Sequence, residues 1–457
     1  MISGAYVLIT NRCNFNCSYC YERLEGIEDK DMPWETMQRL IDMMVAQYDP
    51  TKHANPYADM DINFFGGEPF FNWPVMKRAF EYVEEIRIKK GIRFSLTILT
   101  NGSVWNKEIH EYLSKQKVKM GNRLKLQVSI DGCEESHNAN RPLADGGDSF
   151  QIVAGNIKKY RNIIQDIQIR ETLVPSRVNK FYDDYVALSE LADIVQMTPI
   201  IEGDWLSVLP QAKEQLEKIY ALYFEQLKSS PDKFLSLLNG TIIKTNSPGA
   251  CGIGHDFKGC HAGQQLIGVT VEGDIYPCHR FIAYRKSFDY KMGDVWQGIN
   301  QNLEEVKAAR KMHYSNAKCQ SCKLGTCNRC YATNRYIEGK VTSTPLTGYC
   351  EFCALNQKLV DALSDRLFAE YDNTLAPYTA YKSRLTKRRG ITMGKGKKKI
   401  LGPDAEDVLV QGITLLLKTN MEIKSQNTKI IQLLSKIAGV QAPKEPAKDA
   451  HSSSQPS

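Results

Sequence analysis

The sequence predicts an α/β fold, namely a partial, TIM-like (βα)6 barrel followed by a small cysteine-rich domain and a C-terminal helical tail. Between residue 5 and about residue 202, short β-branched runs alternate with amphipathic stretches. This alternation indicates βαβ units and a parallel sheet. Six units are too few for a closed eight-stranded barrel, so we expect an open one with its active site at the carboxyl ends of the strands.

The elements of the barrel follow one another in a regular order. The six predicted strands are Ala5–Thr10, Asp61–Phe65, Ser95–Thr100, Lys125–Ile130, Ile167–Val174 and Val195–Ile201. Apolar residues at helical spacing predict helices between them, most clearly at Trp34–Gln47 and Trp73–Lys89. Further helices are predicted over Gln211–Leu238 and from Ala354 to about Glu370.

Changes in composition predict six segments: a barrel over 1–205, a helical connector over 206–250, a cysteine-rich domain over 251–370, a basic linker over 371–403, a heptad-patterned helix over 404–438 and a disordered tail over 439–457. The net charge of +7 belongs to the linker, because nine basic residues and no acid lie between Lys382 and Lys399. Glycines in this stretch predict flexibility, and it has no aromatic side chain to stack on bases. We therefore interpret it as a solvated spacer and do not expect nucleic acid as a partner.

The heptad-patterned helix has apolar side chains seven residues apart, at Leu409, Leu416, Ile423, Ile430 and Ile437. A second series completes an a/d pattern over about four heptads, with a positions at Ile413, Asn420, Asn427 and Leu434. The pattern predicts a homo-oligomeric coiled coil through residues 404–438. An amphipathic helix docked on the body is the alternative.

Composition also predicts where the protein works. With 42% hydrophobic and 24% charged residues, and no apolar run of about 18 residues, the chain is expected to be soluble with no membrane partner. The N-terminus lacks the basic region of a signal peptide, so a cytoplasmic location is expected. Thirteen cysteines in such a chain indicate metal binding rather than disulfides.

The first cysteines are the most informative residues, because Cys13, Cys17 and Cys20 follow the first strand with the spacing C-x3-C-x2-C. Three thiolates can hold three irons of a [4Fe–4S] cluster and leave the fourth iron open, whereas electron-transfer clusters have four protein ligands. A zinc knuckle or a disulfide scaffold is the alternative. Zinc would need a fourth ligand nearby, and the nearest histidine, His53, is far downstream.

Polar residues and glycines stand at the ends of the next three strands. Gly66 and Gly67 allow backbone to approach a ligand closely, and with Glu68 they are expected to bind an ammonium group. The third strand ends in Thr100-Asn101-Gly102 and the fourth in Ser129-Ile130-Asp131-Gly132. Their hydroxyl, amide and carboxylate groups could bind a ribose, so Asn101, Ser129 and Asp131 are candidate ligand contacts.

A second constellation contains nine cysteines, whereas Cys133 has no clustered partner. The nine are Cys251, Cys260, Cys278, Cys319, Cys322, Cys327, Cys330, Cys350 and Cys353. Two Cys-x2-Cys pairs among them are compatible with a pair of zinc sites.

Taken together, these motifs resemble the radical S-adenosylmethionine (SAM) family over roughly residues 5–370. The C-x3-C-x2-C spacing, with the aromatic Tyr19 before its third cysteine, resembles the cluster loop, and Gly66–Glu68 resembles the motif that binds the SAM amino group. By this resemblance Ser129 contacts SAM and Arg141, in the His137–Arg141 stretch, pairs with its carboxylate. The guanidinium geometry suits that role.

The downstream cysteines resemble the SPASM extension of this family, which carries two auxiliary [4Fe–4S] clusters. The resemblance assigns Cys251, Cys260, Cys278 and Cys330 to one cluster and Cys319, Cys322, Cys327 and Cys350 to the other. From Cys319 to Cys330 the gaps between cysteines are x2, x4 and x2, where the family more often has x5 and x3 as the last two. Cys353 is surplus to the family pattern. These departures leave open which cysteines bind which cluster.

The implied activity is an oxygen-sensitive oxidation of a peptide or protein side chain by a 5′-deoxyadenosyl radical, with a flavodoxin- or ferredoxin-type electron donor. Sequences around Cys260, Cys278 and Cys330 look like those of maturases that crosslink ribosomally made peptides. Anaerobic sulfatase-maturating enzymes, which form formylglycine, are the rival; they place an Asp base where this chain has His279, so His279 is the candidate catalytic base. A different class is an iron–sulfur interaction protein tethered by its tail.

Overall fold

The computed structural model describes residues 2–229, 262–306 and 330–370, except for 24–25, 27, 50–59, 165–166, 193, 301–302, 305, 342 and 344–346. The predicted basic linker, heptad-patterned helix and tail lie outside the described residues. So do five predicted cluster ligands, Cys251, Cys260, Cys319, Cys322 and Cys327.

One sheet of ten strands organises the described residues, in the order β10-β9-β8-β7-β1-β2-β3-β4-β5-β6. Its strands are β1 Gly4–Thr10, β2 Met60–Gly66, β3 Phe94–Thr100, β4 Leu124–Ser129, β5 Gln168–Leu173, β6 Ile194–Pro199, β7 Leu266–Val269, β8 Asp274–Tyr276, β9 Gly293–Asp294 and β10 Gly298–Ile299. Strands β1 to β6 pair in parallel and in sequence order. The sheet stays open between β6 and β10 among the described strands, which confirms the predicted partial barrel.

The cysteine-rich segment continues the sheet of the barrel. Strand β7 pairs in parallel with β1, from Gly4 opposite Leu266 to Val7 opposite Val269, and β8 to β10 follow in antiparallel order. Residues Met1–Arg366 form one compact unit. The boundaries predicted at 205 and 251 stay predictions.

Ten α-helices of the described residues accompany the strands: α1 Trp34–Ala46, α2 Trp73–Lys90, α3 Lys107–Met120, α4 Glu134–Asn140, α5 Phe150–Arg161, α6 Phe181–Leu191, α7 Leu209–Ser229, α8 His279–Ala283, α9 Tyr331–Glu338 and α10 Tyr349–Glu370. Local signals set several of their ends. Helix α3 begins at Asn106, whose side-chain oxygen accepts from the backbone N–H of Glu108 at 2.8 Å. Helix α2 ends at Gly91, which has φ +73°. None of the described helices is long and apolar enough to cross a membrane.

Alternation along the strands decides what faces the inside of the open barrel. In β5, Ile169, Glu171 and Leu173 are buried, whereas the intervening Arg170 and Thr172 are partly exposed. Successive side chains of a strand point to opposite faces. Arg170 and Thr172 therefore point into the barrel, where a ligand can reach them.

Candidate functional site

The carboxyl ends of the barrel strands surround a cavity of about 510 Å³. All three cysteines of the first loop line it. Most of the other predicted site residues line it as well, namely Tyr19, Gly66, Gly67, Asn101, Ser129, Arg141 and His279. The structure therefore gathers residues that the sequence places more than 250 positions apart.

The cysteine loop is held by the segment that follows α4. The backbone N–H of Asn16 donates to the carbonyl of Pro142 at 2.8 Å, and that of Ser18 donates to Asn140 at 2.9 Å. Within the loop, Cys20 N–H donates to the Cys17 carbonyl at 3.1 Å. These bonds fix the loop across the barrel mouth, so the cysteines face the cavity as parts of an ordered turn.

The three cysteine thiols suit a cluster better than a single ion. None forms a disulfide, and among the described residues no three His, Cys, Asp or Glu side chains converge closely enough to hold one metal ion. Each cysteine around an iron–sulfur cube binds a different iron, so its ligands are spread more widely. Burial, followed by the neighbouring Cys17, raises the pKa of Cys20 to about 12. The Cys20 thiol would therefore ionise only beside a cationic group such as iron.

Gly66 and Gly67 let the end of β2 pack on the cysteine loop itself. A Cβ atom would lie 2.2 Å from the Thr10 carbonyl oxygen at Gly66, where φ is +118°, and 2.1 Å from the Arg12 carbonyl oxygen at Gly67. The Gly67 N–H donates to Thr10 at 2.9 Å. The two glycines are therefore needed for contact between backbones, in addition to the ligand approach that the sequence predicted.

Glu68, predicted to bind an ammonium group, is fully buried and does not belong to the described cavity lining. Its carboxylate accepts from Thr100 Oγ1 at 2.8 and 2.9 Å, from Asn101 N–H at 2.8 Å and from Phe70 N–H at 3.2 Å. Burial raises its pKa to about 7, although these hydrogen bonds act to lower it. In this structure Glu68 joins the end of β2 to the end of β3.

Asp131, predicted to contact a ribose, holds two cavity residues in place. It is 1% exposed. It accepts a hydrogen bond from the Tyr19 hydroxyl and forms an ion pair with Arg141, at 3.1 Å between Nε and Oδ1. The carboxylate also accepts hydrogen bonds from Thr172 N–H at 2.9 Å and from Asn140 Nδ2 at 3.3 Å.

Arg141 is fixed from three directions. Besides Asp131, its Nη2 donates to Thr172 Oγ1 at 3.2 Å, and its guanidinium lies 5.2 Å from the centre of the Tyr19 ring. Burial acts to lower the pKa of Arg141, but the Asp131 carboxylate and then Tyr19 raise it well above its ordinary value. The result is a permanent cation that lines the cavity in one orientation.

Asn101 and Ser129 are also where the sequence predicted, at the ends of β3 and β4. Asn101 Nδ2 donates to Asn14 Oδ1 at 3.0 Å and lies 3.7 Å from Cys13 Sγ. Ser129 lies opposite Arg170 in the β4–β5 register. Both line the cavity, Asn101 beside the cysteines and Ser129 towards β5.

His279 begins α8 and faces the cavity from the β7 side. A Cβ at Gly268 of β7 would lie 2.6 Å from His279 N, so this glycine lets α8 approach the sheet. The imidazole packs against Tyr6 and Phe65, with ring centres 4.4 and 5.1 Å away. Its Nδ1 is buried and has no hydrogen-bond partner among the described residues. Burial, and then Arg280 and Arg170, lower its pKa to about 3.

The sequence did not single out an ion pair that closes the same wall. Arg280 donates to Glu202 and to Thr333 Oγ1, the latter at 2.9 Å, and its guanidinium lies 4.3 Å from the centre of the Tyr21 ring. The Tyr284 hydroxyl donates to Glu202 at 3.0 Å. In the sequence, only the position of Arg280 two residues after Cys278 could have indicated this ion pair. The partners of Arg280, Glu202 and Thr333, come from distant elements.

Three of the eight predicted auxiliary ligands are described, namely Cys278, Cys330 and Cys350, together with the surplus Cys353. Cys278 precedes α8 and Cys330 precedes α9, where its sulfur lies 3.5 Å from Thr333 N. Cys350 lies in the first turn of α10, and Cys353 follows it as a buried residue. None of the four forms a disulfide. The ligand sets stay predictions, since their other members lie outside the described residues.

Comparison with known proteins supports the interpretation of the cysteine loop. Residues 7–177 match the Radical SAM superfamily. The chain is 23% identical over 346 residues to the radical SAM cyclopropyl synthase TigE of Paramaledivibacter caminithermalis, covering 72% of this chain and 67% of that protein. It is 26% identical over 341 residues to a cysteine-type anaerobic sulfatase-maturating enzyme of Clostridium perfringens, covering 70% and 86%.

A solved structure shares the fold. Native anSMEcpe with bound AdoMet superposes with a TM-score of 0.58 at 17% identity, over 79% of this chain and 99% of that chain. The open parallel barrel, the cysteine loop above its strand ends and the match to the superfamily agree. Residues 7–177 therefore form a radical SAM domain, and the chain is similar to sulfatase maturases and to a radical SAM synthase.

Proposed function

We propose that this enzyme oxidatively modifies a side chain of a peptide or protein, by crosslinking a ribosomally made peptide. The observation that carries the proposal is the shared cavity, which joins the three cysteines to Ser129, Arg141 and His279. Its volume of about 510 Å³ lies within the usual range of ligand pockets, about 300–1,000 Å³. When bound, the [4Fe–4S] cluster and SAM supply the hard step, a 5′-deoxyadenosyl radical that removes a hydrogen atom from carbon.

The protein contributes orientation on the cysteine side of the cavity. Arg141 offers a fixed guanidinium for the SAM carboxylate, since a bidentate carboxylate pair is the geometry that arginine favours. Asp131 keeps this group and Tyr19 in place. Ser129 and Asn101 add a hydroxyl and an amide at neighbouring strand ends.

The opposite wall suits a substrate. Tyr6, Tyr21 and Phe65 form an aromatic surface around His279, which excludes water from a substrate side chain. The buried His279 Nδ1 is the candidate acceptor for a proton that the substrate releases on oxidation. Its lowered pKa keeps the imidazole neutral, and it holds a proton at neutral pH only when a bound anionic group raises that pKa.

Relatives support a peptide or protein substrate. Sulfatase-maturating enzymes and the synthase TigE are among the similar proteins, and one solved structure of the same fold is anSMEcpe with bound AdoMet and Cp18Cys peptide. Formylglycine formation is the second candidate function, because sulfatase maturases align as well as the synthase. His279, which stands where those enzymes are expected to have Asp, favours crosslinking.

The proposal includes two auxiliary [4Fe–4S] clusters, held by the two predicted sets of cysteines, which would supply an acceptor for the electron released by a substrate oxidation. In its favour, the hydrogen bond from Arg280 to Thr333 ties together the first turns of α8 and α9, the helices that follow Cys278 and Cys330. Both cysteines belong to the first predicted ligand set. The flavodoxin- or ferredoxin-type donor, the cytoplasmic location and self-association through residues 404–438 remain predictions from the sequence.

The decisive experiment is anaerobic reconstitution of the full chain. We expect about twelve irons per chain, four for each of three clusters, and release of 5′-deoxyadenosine from SAM with dithionite. Replacing Cys13, Cys17 and Cys20 by Ala should abolish this release. Cys133→Ala is the matched control, because Cys133 lies outside the loop and its sulfur lies 3.7 Å from Ser136 Oγ. Continued release by the triple variant would contradict the proposal.

The two candidate reactions differ in their products. A short cysteine-containing peptide encoded beside the gene should lose two hydrogen atoms on crosslinking, as measured by mass spectrometry. Formylglycine formation would instead yield an aldehyde that reacts with a hydrazide. A product that reacts with the hydrazide would contradict crosslinking and support formylglycine formation.

A further inference from the structure

The inner faces of β4, β5 and β6 carry a polar surface that the radical SAM motifs do not include. Arg170 occupies its centre, opposite Ser129 of β4 and Gln196 of β6 in the register. Thr198 lies two residues beyond Gln196, on the same face of β6. Arg170 and Thr198 both line the cavity.

Arg170 differs from the two other arginines of the cavity. Arg141 is paired with Asp131 and Arg280 with Glu202. Among the described residues, Arg170 has no acidic partner within ion-pair distance and no side-chain hydrogen bond. A guanidinium stays charged at any physiological pH and presents five N–H donors. The partly exposed Arg170 therefore offers these donors to a ligand that enters the cavity.

Thr198 adds a second donor that the described residues leave unsatisfied. Its Oγ1 is buried and without a hydrogen-bond partner among the described residues. A guanidinium and a hydroxyl on neighbouring strands together match the two oxygens of a carboxylate. The two groups line the same cavity as Tyr21 and His279 of the substrate side.

We propose that Arg170, with Thr198, binds a carboxylate of the peptide substrate, such as an Asp or Glu side chain near the modified residue. The inference rests on the proposed function in requiring a peptide substrate. A carboxylate could also come from SAM, but Arg141 already offers a fixed guanidinium on the cysteine side. Arg170 thereby selects substrates by charge and positions the bound peptide in the cavity.

Arginine footprinting of the reconstituted, unreduced enzyme tests this assignment. Phenylglyoxal modifies arginines, and mass spectrometry gives the rate at each one; we expect Arg170 to react faster than the paired Arg141 and Arg280. Pools of short capped peptides with one fixed Asp should slow modification of Arg170 about threefold at twice their dissociation constant. The same pools with Asn in place of Asp should leave the rate unchanged.

Three outcomes would overturn the proposal. They are equal protection by the Asp and Asn pools, no protection by either, and protection of Arg170 by SAM alone, which would assign it to the cofactor. Arg170→Gln should remove the preference for the Asp pool in a binding assay without changing SAM affinity, and Arg170→Lys should retain part of it. The exposed Arg39→Gln, on α1, is the control. Because no turnover is needed, failure of this test is distinguishable from failure of SAM cleavage.

Discussion

The two walls of the cavity differ in how far the protein satisfies its own polar groups. Behind the cysteine wall, Glu68 and Asp131 each accept several hydrogen bonds from neighbouring elements. On the opposite wall, the Thr198 hydroxyl and His279 Nδ1 have no partner among the described residues, and Arg170 lacks an acidic one. Buried polar groups are normally paired. The first wall is therefore preorganised for a ligand that never changes. On the second wall Arg280 and Glu202 pair with each other, whereas Arg170, Thr198 and His279 are left to the substrate.

The largest expected effect comes from breaking the satisfied wall. Asp131→Asn leaves the Arg141 cation buried without a counter-charge, and we expect a loss of about 3–5 kcal/mol in the free energy of unfolding. Thr198→Val on the other wall removes an unpaired hydroxyl at nearly constant shape and should be neutral or stabilising. Urea denaturation measures both. Similar losses for the two variants would remove the distinction between the walls.

Glu68 provides a pH test of the cysteine wall. Its folded-state pKa is raised from 4.5 to about 7, so the folded state holds this proton more tightly than the unfolded state. Its contribution to stability is therefore complete below about pH 4.5 and is lost as pH rises to about 7, by about 3 kcal/mol. Urea midpoints across this range should fall less steeply in Glu68→Gln than in the parent chain. Glu81→Gln, exposed on α2, is the control, and a slope unchanged by Glu68→Gln would contradict the assignment.

The smallest expected effect tests the contact between the β2 end and the cysteine loop. A methyl group at Gly67 would lie 2.1 Å from the Arg12 carbonyl oxygen, so Gly67→Ala must displace the loop, at a cost of about 1–3 kcal/mol. We expect lower iron content after reconstitution, measured by iron analysis. Gly155→Ala is the matched control, because no atom lies within 4 Å of the added methyl group. Equal iron content in both variants would show that the loop adapts.

Several expectations from the sequence are confirmed, and they share a local origin. The six parallel strands and the helices between them follow from alternation along the chain, and their ends from residues such as Asn106 and Gly91. The radical SAM assignment follows from one eight-residue loop and is supported by the match over residues 7–177. The addition of β7 to the edge of β1 was not predicted, because pairing of distant strands leaves no local pattern.

Roles within the site were harder to predict than membership of it. Strand-end position indicated Glu68 and Asp131 as ligand contacts, which stay predictions, and the structure adds that both carboxylates are buried and accept hydrogen bonds from the protein. Arg170 lies within a predicted strand and carries no motif, so only its enclosure without an acidic partner among the described residues distinguishes it. Whether a group faces a ligand depends on side chains from other strands.

The sequence by itself determined the class of chemistry, since cysteine spacing and strand order are properties of neighbouring residues. Only the tertiary structure decided which polar groups the protein uses internally and which it leaves open. The physical reason is that a hydrogen bond is satisfied by atoms close in space, and Asp131, for example, finds its partners on the cysteine loop, after α4 and on β5.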